Sequence, residues 1–320
     1  MSIQSPTLNV SILSKDASAL AEEIENSWPT PSTLNICQAV ITPEQINTDK
    51  VEVLLADPNL ASKVIHQCNG LTWCQSTWAG NAPLLNLDKT DYILTGVKGV
   101  FGKLMREYVF AYLLQYARNI PAFSHNQHQQ PPIWEESPRS PLTGKTLGIL
   151  GAGSIAQALI PVAKSFEMRV IGLSRSGQSV EGFDKVYRAT DLLNFAQDAD
   201  HVVNLMPDTP STAGTLNQAF FDALKPHSVF INAGRGSAVI DDALLNALDN
   251  NLLQAAILDV FTQEPLPDNH PFWTHPKVVV TAHTAAVSSP EDVASVFVAN
   301  ATRYIVNEPL LYQFDFSKGY

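Results

Sequence analysis

Three short segments carry side chains that together suit redox chemistry at a carbonyl beside an acid group: Arg235 in "NAGRGSAVID", Glu264 in "ILDVFTQEPLP" and His283 in "TAHTAA". Reducing a 2-oxo acid needs a hydride at the carbonyl carbon and a proton at its oxygen. An imidazole can supply that proton near neutral pH, because histidine's ordinary pKa is ~6.5. A carboxylate beside the ring holds it in one tautomer and favours its charged form, which is the role open to Glu264. Arg235 offers a planar fork to the substrate carboxylate or the polarised carbonyl, a geometry lysine cannot copy. Singly, each has a plainer reading: a structural histidine at a strand end, an arginine capping a turn, an exposed loop acid. The catalytic reading rests on all three falling in order behind a nucleotide motif.

That motif is Gly151-Ala152-Gly153-Ser154-Ile155-Ala156 in "KTLGILGAGSIAQALIPVAKSF", where a strand-like run meets a helical pattern. The first glycine allows a tight turn, and the second lets backbone amides approach a pyrophosphate at the helix N-terminus. Ala156 stands where only a small residue is needed for helix–strand packing. About twenty residues on, dinucleotide folds place an acid against the adenosine ribose of NAD. Here "VIGLSRSG" offers Ser174, Arg175 and Ser176 instead. A carboxylate would repel a 2′-phosphate, whereas a guanidinium and two hydroxyls would hold it, with ~1.5–3 kcal/mol for a charge-assisted bond. The expected cofactor is therefore NADP(H), with NAD(H) as the weaker alternative; a solvated surface role for Arg175 stays open.

The elements that must position these residues follow from the alternation of apolar strands and helical stretches. "LNVSIL", "VEVLLAD", "LTWCQST" and "YILTG" alternate with helix-like "SALAEEIEN" and "NLASKVIHQC". After the polar, proline-rich stretch 125–141, which reads as a surface connection, the pattern restarts with "TLGIL", "MRVIGL", "HVVNLM", "SVFINA", "QAAILD" and "KVVVTA". Such alternation predicts α/β architecture: two Rossmann-like, doubly wound parallel-sheet domains, with the active-site cleft between them. The last helical stretch, from Pro290 to Asn307, has no strand after it and can return to the first domain. The segments bearing Arg235, Asp259 with Glu264, and His283 fall at successive strand ends, where an open α/β sheet binds its ligands.

Composition narrows the setting. The chain has 320 residues, 45% of them apolar and 16% charged, which describes a globular protein with room for two ordinary domains. Its net charge of −11 repels nucleic acid and anionic lipid. No apolar run is long enough to span a membrane and the start lacks a secretion signal. The three cysteines, Cys37, Cys68 and Cys74, cannot all pair within the chain and suit a reducing cytoplasm. His66 with Cys68 has no second pair at ligand spacing, so no metal is expected. His125 and His128 lie in the polar connection and read as solvated.

The order and length of "STWAGNAPLL", "GVFGKLMREYVFAYLLQYARNIP", "GILGAGSIAQ", "LMPDTPSTAGTLN", "NAGRGSAVID", "ILDVFTQEPLP" and "TAHTAA" resemble the D-isomer-specific 2-hydroxyacid dehydrogenases, over nearly the whole chain. "STWAGNAPLL" and the Ser-Arg-Ser are most similar to the glyoxylate/hydroxypyruvate reductase branch. The resemblance implies that Arg235, Glu264 and His283 are the catalytic set, and that 1–97 plus 288–320 form a substrate domain around a dinucleotide-binding domain, 98–287. It puts backbone amides around Trp78, Ala79 and Gly80 on the substrate carboxylate. It puts Gly151, Gly153, Ser154, Ile155, Pro207, Thr212, Ala233 and Asp259 at the cofactor, with Asp259 accepting from the nicotinamide carboxamide. Trp134 matches a tryptophan that reaches a neighbouring subunit's substrate cleft, so a homodimer is expected. The implied reaction is NADPH-dependent reduction of glyoxylate or hydroxypyruvate to the D-2-hydroxy acid. The alternatives are an NAD-linked D-2-hydroxy acid or 3-phosphoglycerate dehydrogenase, and a non-catalytic, nucleotide-sensing protein like the corepressors of this fold.

Three departures from that family pattern bear on the site. Ala282 replaces a usual proline before the histidine, which is expected to loosen the loop. Asn81-Ala82 replaces a usual Val-Asp in the substrate loop. Arg106 stands on a helix expected over roughly Phe101 to Asn119, where a small residue is usual; pairing with Glu107 or with an acid across a subunit interface is the favoured reading, reach to the active-site mouth the sharper one.

Overall fold

The alternating strands assemble into two separate sheets, each parallel throughout. The computed structural model describes residues 7–30, 33–136 and 140–317. These fall into two compact units, Met1–Val100 with Ser288–Tyr320, and Phe101–Val287. The division lies three residues beyond the boundary expected after 97.

In the first unit, β1 (Leu8–Leu13), β2 (Leu34–Val40), β3 (Val53–Ala56), β4 (Trp73–Ser76) and β5 (Ile93–Thr95) lie in the order β2-β1-β3-β4-β5. β1, β3 and β4 are almost wholly buried, as expected of interior parallel strands. β2, absent from the sequence-based list, is an edge strand whose residues alternate between half-exposed and exposed, so it shows no apolar run. Helix α1 (Ala17–Ser27) follows β1. The helix expected over 59–68 shrinks to α2 (Pro58–Ala61) and a single 3-10 turn at Ile65–Gln67. Val64 and Ile65 are β-branched and buried in the core with Leu54 and Cys74, where packing overrides the helical pattern. A short α3 (Ala82–Leu85) precedes β5. The last helix, Pro290–Ile305, packs on α1 and belongs to this unit. Trp73 stacks on its Phe297 at 5.3 Å and Tyr304 at 5.2 Å, and Asn300 Nδ2 donates to Gln75 Oε1 over 2.9 Å.

The second unit opens with α4 (Gly102–Ala117) and α5 (Ile120–Gln127). α5 takes up the first residues of the stretch expected to hold no regular element, entered through Pro121 at a first-turn position where proline suits a helix. The sheet then runs β6 (Thr146–Leu150), β7 (Arg169–Ser174), β8 (Lys185–Arg188), β9 (His201–Asn204), β10 (Val229–Asn232), β11 (Ala255–Leu258) and β12 (Val278–Val280). Its order is β12-β11-β10-β9-β6-β7-β8, so winding reverses between β6 and β9. Helices α6 (Ser154–Ser165), α7 (Leu192–Asp198), α8 (Gln218–Asp222) and α9 (Asp241–Asp249) connect these strands. Strand side chains alternate between two cores. Leu147, Ile149, Val203, Ile231 and Ile257 face α4 and α6, while Leu150, Val202, Phe230, Ala256 and Leu258 face α7, α8 and α9. Each fully buried aliphatic of this kind contributes about 1.5–3 kcal/mol, and the double coverage fixes the strand ends that carry the site.

Candidate active site

At the switch point, Gly151 follows β6 with φ +99°, and a Cβ there would come within 3.0 Å of the Leu205 carbonyl oxygen. Only glycine suits that turn. Nothing lies within 4 Å of a Cβ added at Gly153, which caps α6. Gly153 and Ser154 are exposed, Ile155 is half-buried, and Ala156 is buried between α6 and its neighbours. An open, amide-lined cradle at the start of a twelve-residue helix fits a dinucleotide pyrophosphate. Ser174 is the last residue of β7, and Arg175 and Ser176 follow it, both exposed. The turn closes on itself: Gly177 N donates to Ser174 Oγ (3.1 Å) and Gln178 N to Ser176 Oγ (3.3 Å).

The ends of β9 and β10 are knitted by two buried asparagines that sequence reasoning did not single out. Asn204 Nδ2 donates to Asn232 Oδ1 over 2.9 Å, while Asn204 Oδ1 accepts from Met206 N. Asn232 Oδ1 also takes the Gly234 amide, and its Nδ2 donates to the Arg235 carbonyl. A polar residue closing an otherwise apolar buried strand was the available signal, since it must be hydrogen-bonded. Ala233 N donates to the Asn204 carbonyl, and Thr212 Oγ1 donates to the Pro207 carbonyl (2.7 Å), so these three expected cofactor residues sit on loops tied to the same strand ends. Arg235 is half-buried. Its Nη1 donates to the Gly234 carbonyl, and it makes no ion pair among the described residues.

Glu264 and His283 meet: Nδ1 of the ring donates to Glu264 Oε2 over 2.8 Å. The other carboxylate oxygen accepts from Phe261 N (2.9 Å), so the group is held at both ends. An ionised carboxylate only accepts, so Nδ1 is the donor, and the ring's Nε2 has no partner among the described residues. His283 has φ +54° and a side chain 53% exposed. The loop in which Ala282 stands for a usual proline is tied down by hydrogen bonds to Asp259. His283 N donates to the Asp259 carbonyl (2.8 Å), Thr284 N to Asp259 Oδ1 (2.8 Å) and Ala285 N to Asp259 Oδ2 (3.0 Å). Thr281 Oγ1 adds a bond to the same carboxylate, and Tyr108 from α4 donates to Thr281 Oγ1 over 2.9 Å. Burial pushes the Tyr108 phenol well above its ordinary range, keeping it a donor. Asp259, 2% exposed, thus holds the loop that carries His283. Gly236, next to Arg235, lies against the Phe261–Thr262 backbone so closely that a Cβ would stand 1.9 Å from Phe261 C. Arg235 and Glu264 therefore sit on loops in direct backbone contact.

In the first unit, a bend over residues 77–79 follows β4, with Gly80 next to it. Of the three amides expected to meet a carboxylate, that of Trp78 already donates to Ser76 Oγ (3.1 Å). The Ala79 and Gly80 amides have no partner among the described residues. Thr77 at the start of the bend donates to Asp57 Oδ1, which also accepts from Ser14 Oγ; this buried carboxylate anchors the bend and was not foreseen. Trp134 is fully exposed, and Ile133 beside it is 47% exposed. Arg106 is exposed and makes no ion pair with Glu107, one of the two pairings expected of it; the α4 backbone directs the two side chains apart, as neighbours in a helix do not face each other.

A family model described as "D-isomer specific 2-hydroxyacid dehydrogenase, NAD binding domain" matches residues 110–285, nearly the whole of the second unit. Glyoxylate/hydroxypyruvate reductase A of Serratia proteamaculans is 36% identical over 224 residues, 70% of this chain and 68% of that protein. The crystal structure of a D-isomer specific 2-hydroxyacid dehydrogenase family protein from Aeromonas salmonicida is 37% identical, with a TM-score of 0.89 over 98% of this chain and 100% of the other. An NADPH-dependent glyoxylate/hydroxypyruvate reductase from Sinorhizobium meliloti, solved with NADP and sulfate, is 28% identical, with a TM-score of 0.84 over 99% and 100% of the two chains. Likeness of this extent, joined to a nucleotide turn and an acid-paired histidine where the sequence led one to look, means that this chain belongs to the D-isomer specific 2-hydroxyacid dehydrogenases and is an NAD(P)-dependent oxidoreductase.

Proposed function

We propose that the protein uses NADPH to reduce a small 2-oxo acid, glyoxylate or hydroxypyruvate, to the D-2-hydroxy acid, with His283 as the general acid. The observation that carries this reading is the 2.8 Å bond from His283 Nδ1 to Glu264 Oε2, which leaves Nε2 as the nitrogen able to give a proton to a carbonyl oxygen. Glu264 fixes the tautomer and stabilises the charged ring; its own position is set by the Phe261 amide. Asp259 is a positioning residue for the His283 loop in this reading. Three hydrogen bonds to its buried carboxylate leave Oδ2 the better placed to take a further donor such as a carboxamide. The Arg235 guanidinium binds the substrate carboxylate and polarises the carbonyl, so that negative charge arising on oxygen meets a fixed cation. After the transfer, His283 is neutral, and its half-exposed ring recovers a proton from water.

A bound reduced nicotinamide supplies a hydride for the carbonyl carbon. Gly151, Gly153, Ser154 and Ile155 are proposed to hold its pyrophosphate, and Ser174, Arg175 and Ser176 its adenosine 2′-phosphate; Pro207, Thr212 and Ala233 line the nicotinamide side. The absence of any acid in Ser174–Gly177 and the NADP bound by the S. meliloti relative both support the phosphorylated nucleotide. The free amides of Ala79 and Gly80 are proposed as further carboxylate donors. The fully exposed Trp134 supports a homodimer in which that ring is covered, and the three free cysteines suit the cytoplasm.

Initial rates with glyoxylate, hydroxypyruvate and other 2-oxo acids, run with NADPH and with NADH, test the reading. NADPH oxidation with one of the two small acids is expected, and H283A should lower kcat by about 10²–10⁴-fold while NADPH binding persists. An H283A enzyme as fast as wild type, or no turnover with any 2-oxo acid, overturns it.

A further inference from the structure

The backbone and stem of Arg188 lie against Gly177 of the Ser174–Gly177 turn, and its guanidinium is not used by anything described so far. Arg188 is the last residue of β8, the edge strand, and its Cα pairs in register with that of Ser174 at the end of β7. Both therefore stand at the carboxyl ends of parallel strands, the side on which Gly151 follows β6. The turn crosses directly over Arg188. Gly177 has φ +66°, and a Cβ on it would lie 2.3 Å from Arg188 Cγ and 3.0 Å from Arg188 N. A side chain at 177 would collide with the stem of Arg188, so the glycine brings that stem under the loop bearing Arg175 and Ser176.

The charge of Arg188 has no acid to balance it among the described residues. The molecule carries −11 overall, and three other cations of the same unit are paired with acids: Arg169 with Asp198, Lys225 with Asp200, Lys164 with Asp184. On β8 itself, Lys185 sits over the Tyr187 ring at 3.9 Å. Arg188 is exposed and has no ion pair or side-chain hydrogen bond among the described residues. The register and the stem contact thus bring to one strand end an arginine with no ion pair, the two hydroxyl residues Ser174 and Ser176, and Arg175, a set whose chemistry suits a dianion, since a planar fork binds phosphate in two-point fashion.

We propose that Arg188 is a second specificity-determining cation for the adenosine 2′-phosphate, acting with Arg175 from the neighbouring strand. This rests on the NADP(H) reading above and adds to it a residue that lies twelve positions beyond the Ser-Arg-Ser turn. The test is calorimetric binding of 2′,5′-ADP and of 5′-AMP, which lacks the 2′-phosphate, to wild type, R188A and R188K, with NADPH and NADH dissociation constants measured by fluorescence on the same proteins. R188A should weaken 2′,5′-ADP and NADPH about tenfold and leave 5′-AMP and NADH unchanged, and R188K should recover part of the loss. R188A that binds all four ligands as wild type does, or weakens all four equally, overturns the role of Arg188 and shows the side chain to be packing for Gly177 only. That result is distinct from failure of the NADP(H) reading, in which wild type itself would bind 2′,5′-ADP no better than 5′-AMP.

Discussion

One methyl group tests how tightly the residues proposed to react are fixed. A Cβ on Gly236 would lie 1.9 Å from Phe261 C and 2.3 Å from both Phe261 O and Thr262 N, so alanine there forces one loop away from the other. Arg235 precedes Gly236, and Phe261 N donates to Glu264, so the shift reaches both side chains. Misplacement by ~1 Å costs on the order of 10²-fold in rate. G236A is therefore expected to lower kcat/KM by about that factor while NADPH binding at the β6 turn is retained, as steady-state kinetics beside a fluorescence titration will show. A folded G236A enzyme with unchanged kcat/KM would mean that the contact has slack. At this scale much was legible beforehand. Arg235, Glu264 and His283, the residues proposed to react, were singled out from residue type and order, and the structure pairs the last two; the glycine turn was read from spacing. Asn204, Asn232, Thr281 and Asp57 were not, because their roles are hydrogen bonds between segments distant in sequence, which no spacing rule records.

Among the elements, the opposite ends of the same strands hold a different kind of polar group. His201 begins β9 and is 4% exposed, with its Nδ1 accepting from Val229 N. Burial, reinforced by the nearby His227, pushes its pKa down to about 4 from the ordinary 6.5. Beside it burial acts to raise the Asp200 carboxyl, but the Thr146 amide, Lys225 and His227 outweigh that and hold it at about 2. The two groups lose stability in successive windows. Between pH 6.5 and 4 the unfolded chain binds a proton at His201 that the fold refuses; between about 4 and 2 the unfolded chain protonates Asp200 first. Stability should fall by about 2 kcal/mol between pH 7 and pH 5 from His201 alone, and H201N should flatten that segment whatever its stability at pH 7. Urea unfolding at the two pH values measures it, and an equal drop in both proteins would assign the acid sensitivity elsewhere. The strands themselves were readable where they are apolar and interior. β2 and β8 were missed because edge strands expose one side, and the helix expected over 59–68 failed because core packing of Val64 and Ile65 prevailed over local pattern.

For the whole molecule, the proposed pairing of two chains rests on apolar surface. Trp134 is fully exposed, and Ile120, Phe123 and Ile133 are 52%, 43% and 47% exposed on α5 and the segment after it. Large side chains grouped in this way mark a surface that a partner covers. Sedimentation at micromolar concentration should give a species of twice the 34.9 kDa chain, and a W134A protein should dissociate more readily; a wild-type monomer at that concentration would remove the proposal. The return of the final helix to the first sheet carries a further implication, for synthesis. Trp73 finds Phe297 and Tyr304, and Gln75 finds Asn300, only after more than two hundred intervening residues have been made. On the ribosome the nucleotide-binding unit is thus complete in sequence while the amino-terminal strands still wait for their cover, so the central unit can mature first and the outer one closes last.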